Sequence, residues 1–265
     1  LTDWRGLFPF SVGAPSWVLP LTEDNFVGNI LFLADKVDKV QILCFEKDPV
    51  DELLNEKDLK RLVEIQRSTG LKFSVHLPAD LAFLATSDDQ AFKKKLDCVL
   101  HIADITACLE PENMILHLDE PESGLDGPQL VSRTIEVLGE LKQLWTQAPS
   151  LVQVENTNWD LTLAAAELAD TGFGVCADFG HLYHQGYSLE NFLSLVGPLV
   201  REVHLHGFNT TKDHLPLGEL EPVLRNPIEE FLKQKKPSVV IENFKAAWLQ
   251  ESLIVLDSWC SGWKA

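Results

Sequence analysis

Short runs of β-branched and aromatic residues recur along the chain, each followed by a longer segment with apolar positions at helical spacing. The runs are FSVGAPS (Phe10–Ser16), KVQILCF (Lys39–Phe45), KFSVHLP (Lys72–Pro78) and NMILHLD (Asn113–Asp119). They continue with LVQVENT (Leu151–Thr157), GFGVCADFGH (Gly172–His181), VREVHLHG (Val200–Gly207) and SVVIENF (Ser238–Phe244). Between them lie Asp51–Thr69, Asp88–Leu109, Gly127–Trp145 and Glu221–Lys235. In the first of these, Leu54, Leu59, Leu62 and Ile65 share one helical face. Gly70 is a helix stop, and Ser188, with Asn191 three residues on, is a helix N-cap. Strand alternating with helix predicts a parallel sheet. Eight such units suit a single (β/α)8 TIM barrel, which needs ~250 residues. No GxGxxG follows the first run, which argues against an open doubly wound sheet. No Gly/Ser linker divides the chain, so one domain over residues 1–265 is expected.

A barrel changes the meaning of the polar residues, because its C-terminal strand ends converge on one mouth. His76 and His117 lie near the ends of the third and fourth runs, and Glu155 near the end of the fifth. Asp178 follows in the sixth with His181 three residues later, His204 and His206 in the seventh, and Glu242 in the eighth. Of the eight histidines only His101 falls in a predicted helix body; the others, including His184 and His214, fall at strand ends or in the following loops. One histidine on a strand is most often a hydrogen-bonded core residue. Carboxylates and imidazoles at the same ends of six strands are different, since unpaired charge there is costly to desolvate. Together they form a donor set suited to a divalent Zn, Mn, Fe or Co ion. His204 and His206 are two apart on a strand and share the inward face.

Charge and cysteine content narrow the partners. The chain has 22 Lys and Arg against 40 Asp and Glu, a net charge of −18. That excess opposes a broad nucleic-acid surface or an anionic membrane surface. The uncharged stretch Gly6–Thr22 is broken by Pro9, Pro15 and Pro20, so neither a spanning helix nor a cleavable leader is expected there. Five cysteines without a CxxC pair suit a reduced cytoplasmic compartment.

These motifs resemble the xylose isomerase-like TIM-barrel superfamily, which includes sugar and sugar-phosphate isomerases and epimerases and the endonuclease IV-type apurinic endonucleases. VENT (Val154–Thr157), DFGH (Asp178–His181), VHLHG (Val203–Gly207) and IEN (Ile241–Asn243) carry the resemblance. It implies Glu155, Asp178, His204 and Glu242 as metal ligands. His181 would be a ligand or substrate contact. His76 and His117 match the two extra histidines of the endonuclease-like branch. That branch carries D-x-H-x-x-x-G after strand seven, where this chain reads KDHLPLG (Lys212–Gly218) with Asp213 adjacent to His214. One or two ions are therefore expected, with three as the upper limit.

More narrowly, FPFSVGAPSWVLP (Phe8–Pro20), LADKVDKVQILCFE (Leu33–Glu46), DFGHLYHQGY (Asp178–Tyr187) and VHLHGFNTTKDHLPL (Val203–Leu217) resemble the cobamide-remodelling phosphodiesterases of the CbiR group. That resemblance implies hydrolysis of the phosphodiester between the corrinoid aminopropanol arm and the lower-ligand riboside. A first ion at Glu155, Asp178, His204 and Glu242 and a second at His76 and His117, bridged by Glu155, would follow. His181, His214, Glu155 and Glu242 are the expected catalytic groups. Asp213 is expected to orient His214, while His206 and Asp119 are expected behind the ligands. Trp17 and Trp159 are candidate apolar walls for a small-molecule substrate. The alternatives are a sugar isomerase or epimerase with Glu155 and Glu242 as acid and base, an apurinic-site phosphodiesterase, and a non-catalytic binding module.

Overall fold

The structure, a computed structural model, describes residues 2–20, 26–44, 54–86, 88–119 and 124–264. Eight strands run β1 Val12–Pro15, β2 Lys39–Leu43, β3 Lys72–His76, β4 Met114–His117, β5 Val152–Glu155, β6 Gly174–Asp178, β7 Val200–Leu205 and β8 Ser238–Ile241. All pair in parallel in sequence order, and β8 closes on β1 through Val12 opposite Val239. The expected (β/α)8 barrel is therefore the observed fold. Each strand lies inside its predicted run; Phe45, the last residue of the second run, and Asp51, the first of the first helical segment, lie outside the described residues.

The described helices are α1 Phe26–Leu33, α2 Glu56–Thr69, α3 Asp89–Thr106, α4 Gly127–Leu144, α5 Ala165–Thr171, α6 Phe179–His184, α7 Leu189–Leu195, α8 Pro222–Lys235 and α9 Ala246–Ser261. Their ends follow local chemistry. Asn55 caps α2 by accepting from the Asp58 amide, and Gly70, at φ 74°, terminates it in a left-handed conformation open to glycine. Asp126 and Gln129 form a reciprocal capping box at α4. The Ser188 hydroxyl accepts from the Asn191 amide at α7. Leu59, Leu62 and Ile65 form the buried face of α2.

One prediction is corrected. The run Gly172–His181 does not stay extended to His181: β6 stops at Asp178, and FGHLYH forms α6. The cause is Asp178 itself, whose carboxylate accepts from the His181 amide and starts a helical turn. His181 and His184 therefore project from a helix rather than from a strand-end loop. Register then fixes which strand ends are neighbours. His117 lies opposite Glu155, and Asp178 opposite His204. None of the helices among the described residues is long and apolar enough to cross a membrane.

Candidate metal centre

The strand ends bring the candidate residues into one continuous cluster centred on Glu155, a carboxylate 1% exposed. Its Oε2 lies 3.1 Å from His117 Nε2 and 3.4 Å from His76 Nε2. Its Oε1 lies 3.3 Å from His204 Nδ1 and 3.4 Å from His181 Nδ1. His204 Nδ1 is also 3.3 Å from Glu242 Oε2, so one imidazole stands between two carboxylates. Glu242 Oε2 lies 3.7 Å from His214 Nδ1. On the far side, His206 Nε2 meets Asp178 Oδ2 at 3.1 Å and His206 Nδ1 meets Asp213 Oδ1 at 3.1 Å. Glu155, Asp178, His204 and Glu242 thus occupy one neighbourhood, joined by shared histidines.

The ring orientations test whether cations fit. His76 Nδ1 is 2.8 Å from the Leu77 carbonyl, so it carries the proton and turns a lone pair at Nε2 toward Glu155. A lone pair facing a carboxylate is repulsive unless a proton or a cation lies between them. Both ring nitrogens of His204 and Nδ1 of His214 are buried with no hydrogen-bond partner, although native interiors pair nearly all such atoms. Among the described residues, His76–His117–Glu155, His76–His204–Glu242, His206–His214–Glu242 and Glu155–Asp178–His181 each present three ligand atoms within 4.8 Å of one another. Mixed imidazole and carboxylate donors at this spacing suit Zn, Mn or Fe.

The same geometry sets the proton affinities of the chain without ions. Burial pushes Glu155 up, but the His204 and His117 charges outweigh it and hold the carboxyl well below its ordinary value. Burial likewise opposes, and His181 and His206 overcome, a strong lowering of Asp178. Burial pulls His206 down, yet Asp178 beside it, helped by Asp213 and Glu242, raises it to about 9. For His181 burial is outweighed by Asp178, Glu155 and Glu242, again to about 9. His204 and His117 are raised against burial too, His204 by Cys176, Glu155 and Glu242, His117 chiefly by Glu155. Protons fill here the role that cations fill in a loaded site.

The remaining candidates divide. Asp119 stands 3.9 Å from His117 Nδ1, behind the ring. Asp213 does not orient the His214 ring: its carboxylate accepts from the His214 backbone N–H and turns its oxygens to His206 and His184. Trp159 is no substrate wall. It is 2% exposed, and its indole N–H donates to the Leu118 carbonyl, because the β5 loop folds it inward. Trp17 is half-buried and lines a cleft of about 740 Å³ with Val18, Leu19, Pro20 and Phe244. The Phe244 ring touches His214, with centroids 5.1 Å apart.

Several positioning residues escaped the sequence reading. Asn156, next to Glu155, donates to the Asp178 carbonyl and accepts from the Asp178 amide. Asn243, next to Glu242, donates to the carbonyls of His214 and Leu215. The repeated Glu-Asn pair in VENT and IEN was the available signal. Cys176 sits below Asp178 on the same strand face, with its sulfur in ligand range of Glu155 and His204; burial pushes its thiol up strongly. Gly180 leaves room for the mouth: a Cβ there would lie 2.5 Å from His206 and 2.6 Å from Asp213.

Comparison with known proteins agrees with this architecture. No curated protein matches the sequence. Similar solved structures include a D-tagatose 3-epimerase-like protein, 18% identical with TM-score 0.77, covering 96% of this chain and 98% of that one. The IOLI protein with a zinc atom is 14% identical with TM-score 0.71, covering 96% of each chain. Endonuclease IV from Thermus thermophilus is 17% identical with TM-score 0.67, covering 95% of this chain and 99% of that one. At these identities the likeness is one of fold. Residues 35–250 match the family model described as xylose isomerase-like TIM barrel, so this chain belongs to the xylose isomerase-like TIM-barrel family.

Proposed function

We propose that the chain is a divalent-metal-dependent phosphodiesterase that cleaves the phosphodiester of a cobamide, releasing the lower-ligand riboside. One observation carries the phosphodiesterase reading. Six imidazoles and four carboxylates gather at one mouth, and Glu155 faces His76 and His117 with one oxygen and His204 and His181 with the other. A chain with one ion to hold has no need of His76, His117 and His206 beside Glu155, Asp178, His204 and Glu242. Ions of Zn, Mn, Fe or Co would be held by His76, His117 and Glu155, and by Glu155, Asp178, His204 and Glu242. When bound, such ions supply Lewis acidity toward a phosphodiester and a nucleophile at neutral pH. The protein groups supply the rest. His181 and His214, with side chains 26% and 31% exposed, stand at the rim where a leaving oxygen takes a proton. Asp178 is held as a carboxylate by His206 and ties α6 to the barrel. The apolar cleft beside Trp17 and Phe244 accepts a large non-sugar group. The cobamide itself is supported by the sequence resemblance of the β1, β6 and β7 segments.

A sugar epimerase is the second reading, favoured by the placement of His204 between Glu155 and Glu242. Two carboxylates flanking one ion-sized gap suit acid–base work on a carbon acid. Endonuclease action is opposed by the −18 charge. The deciding experiment is incubation of the chain with cobalamin and Mn²⁺, Co²⁺ or Zn²⁺, followed by mass spectrometry. Base riboside in the metal-supplied reaction, absent after chelation, is the expected result. An intact cobalamin alongside interconversion of ketohexoses would replace this reading with the second.

A further inference from the structure

Beneath His204 lies an ion pair that the proposed reaction does not use. Glu202 sits two residues before His204 on β7 and faces the same interior; both Glu202 and Lys39 of β2 are 0% exposed. Lys39 Nζ donates to Glu202 Oε2 and, at 2.6 Å, to Ser238 Oγ. Asn113 Nδ2 donates to the same Oε2 at 2.8 Å, and Gln41 Nε2 to Oε1 at 2.9 Å. Gly13 makes the Lys39 stem possible, since a Cβ there would lie 3.3 Å from Lys39 Cε. A buried Lys–Glu pair is often no more stabilising than apolar residues of the same volume. Stability is therefore a weak reason for carrying one in a barrel interior otherwise rich in Val and Ile.

The neighbour above supplies a better reason. Glu202 Oε1 stands 3.9 Å from His204 Nε2, while His204 Nδ1 points the other way, into the gap between Glu155 and Glu242. Three donors fix the Glu202 carboxylate in place, so its remaining acceptor side is a rigid negative point under one edge of the ring. We propose that the Lys39–Glu202 pair is a positioning device: it holds the His204 ring with Nε2–H downward, so that the Nδ1 lone pair faces the cation. This inference rests on His204 as a metal ligand and is independent of the substrate. Carboxylates behind ligating histidines fix ring orientation in this way, and their loss costs on the order of 10- to 100-fold in metal affinity.

The test is calorimetric titration of Zn²⁺ into the chelator-treated full chain. Wild type, Glu202→Gln, Lys39→Met and the double variant Lys39→Met/Glu202→Leu are compared, with melting temperatures measured on each. The double variant guards against misfolding, because it replaces the pair by apolar residues of similar volume. Expected is Zn²⁺ affinity lowered about 10- to 100-fold in each folded variant. A second readout needs no variant: imidazole ¹⁵N spectra of the Zn²⁺-loaded wild type should show His204 protonated at Nε2. Protonation at Nδ1, or folded variants with wild-type affinity, would overturn the positioning role and leave the metal centre standing. Failure of the wild type to take up Zn²⁺ would overturn both.

Discussion

The two sides of the mouth are built differently. His76, His117, Glu155 and His204 sit on strands, where pairing fixes each Cα and burial fixes each rotamer. Asp213 and His214 sit on the 206–216 loop, held by a few specific backbone devices. Gly207 and Leu215 exchange two N–H···O bonds of 2.8 Å, closing the loop on itself. His214 has φ 53°, a left-handed conformation that non-glycine residues rarely adopt. Asn243 then clamps the carbonyls of His214 and Leu215, and Ser252 of α9 holds Asn243 in turn. Strand-borne ligands come with the barrel. Loop-borne ones need a second set of residues with no chemistry of their own.

Breaking the strand side should have the largest effect. Glu155→Gln keeps the volume but removes the charge that four histidines share, and turnover should fall by about 10²–10³-fold or more. Steady-state assay beside circular dichroism checks this; retained turnover in a folded variant would mean that Glu155 is not the shared group. Breaking the loop side comes next. A Cβ on Gly207 would lie 2.0 Å from the Pro216 carbonyl oxygen, so Gly207→Ala must displace the loop. Destabilisation of about 1–3 kcal/mol is expected. The strand side should still bind metal, which urea unfolding and metal analysis would show together.

The smallest effect sharpens the comparison through pH. Without ions, His181 and His206 both stand near 9 in the fold against 6.5 as model groups. The fold therefore holds protons that the unfolded chain releases between those values. Their stabilisation is complete below about pH 6.5 and fades as pH rises through 9. The metal-free chain should lose melting temperature over that interval, and Zn²⁺ should remove most of the loss. An equal slope with and without Zn²⁺ would detach these two rings from the ions.

The contrast between strand and loop also explains what could be read in advance. Alternation of runs and helical segments was enough for the barrel, and the barrel alone made neighbours of Glu155, Asp178, His204 and Glu242. The α6 helix was missed because the extended pattern of GVCAD runs unbroken into FGH, and the stop depends on one side chain, Asp178, bonding its own following turn. Trp159 was misread because a tryptophan after a strand looks the same whether it faces solvent or folds inward to the Leu118 carbonyl. Lys39 and Glu202 were invisible as a pair. They are 163 residues apart, and only closure of the barrel places an ammonium of β2 against a carboxylate of β7.

The central claim is that these side chains converge because they share divalent cations. An anomalous-scattering map from crystals of the chain grown with Zn²⁺ tests it most directly. The account predicts a peak between Glu155 and His204, within about 2.0–2.2 Å of their ligand atoms, and a second beside His76 and His117. A map with full Zn²⁺ occupancy elsewhere and none at Glu155 would contradict it.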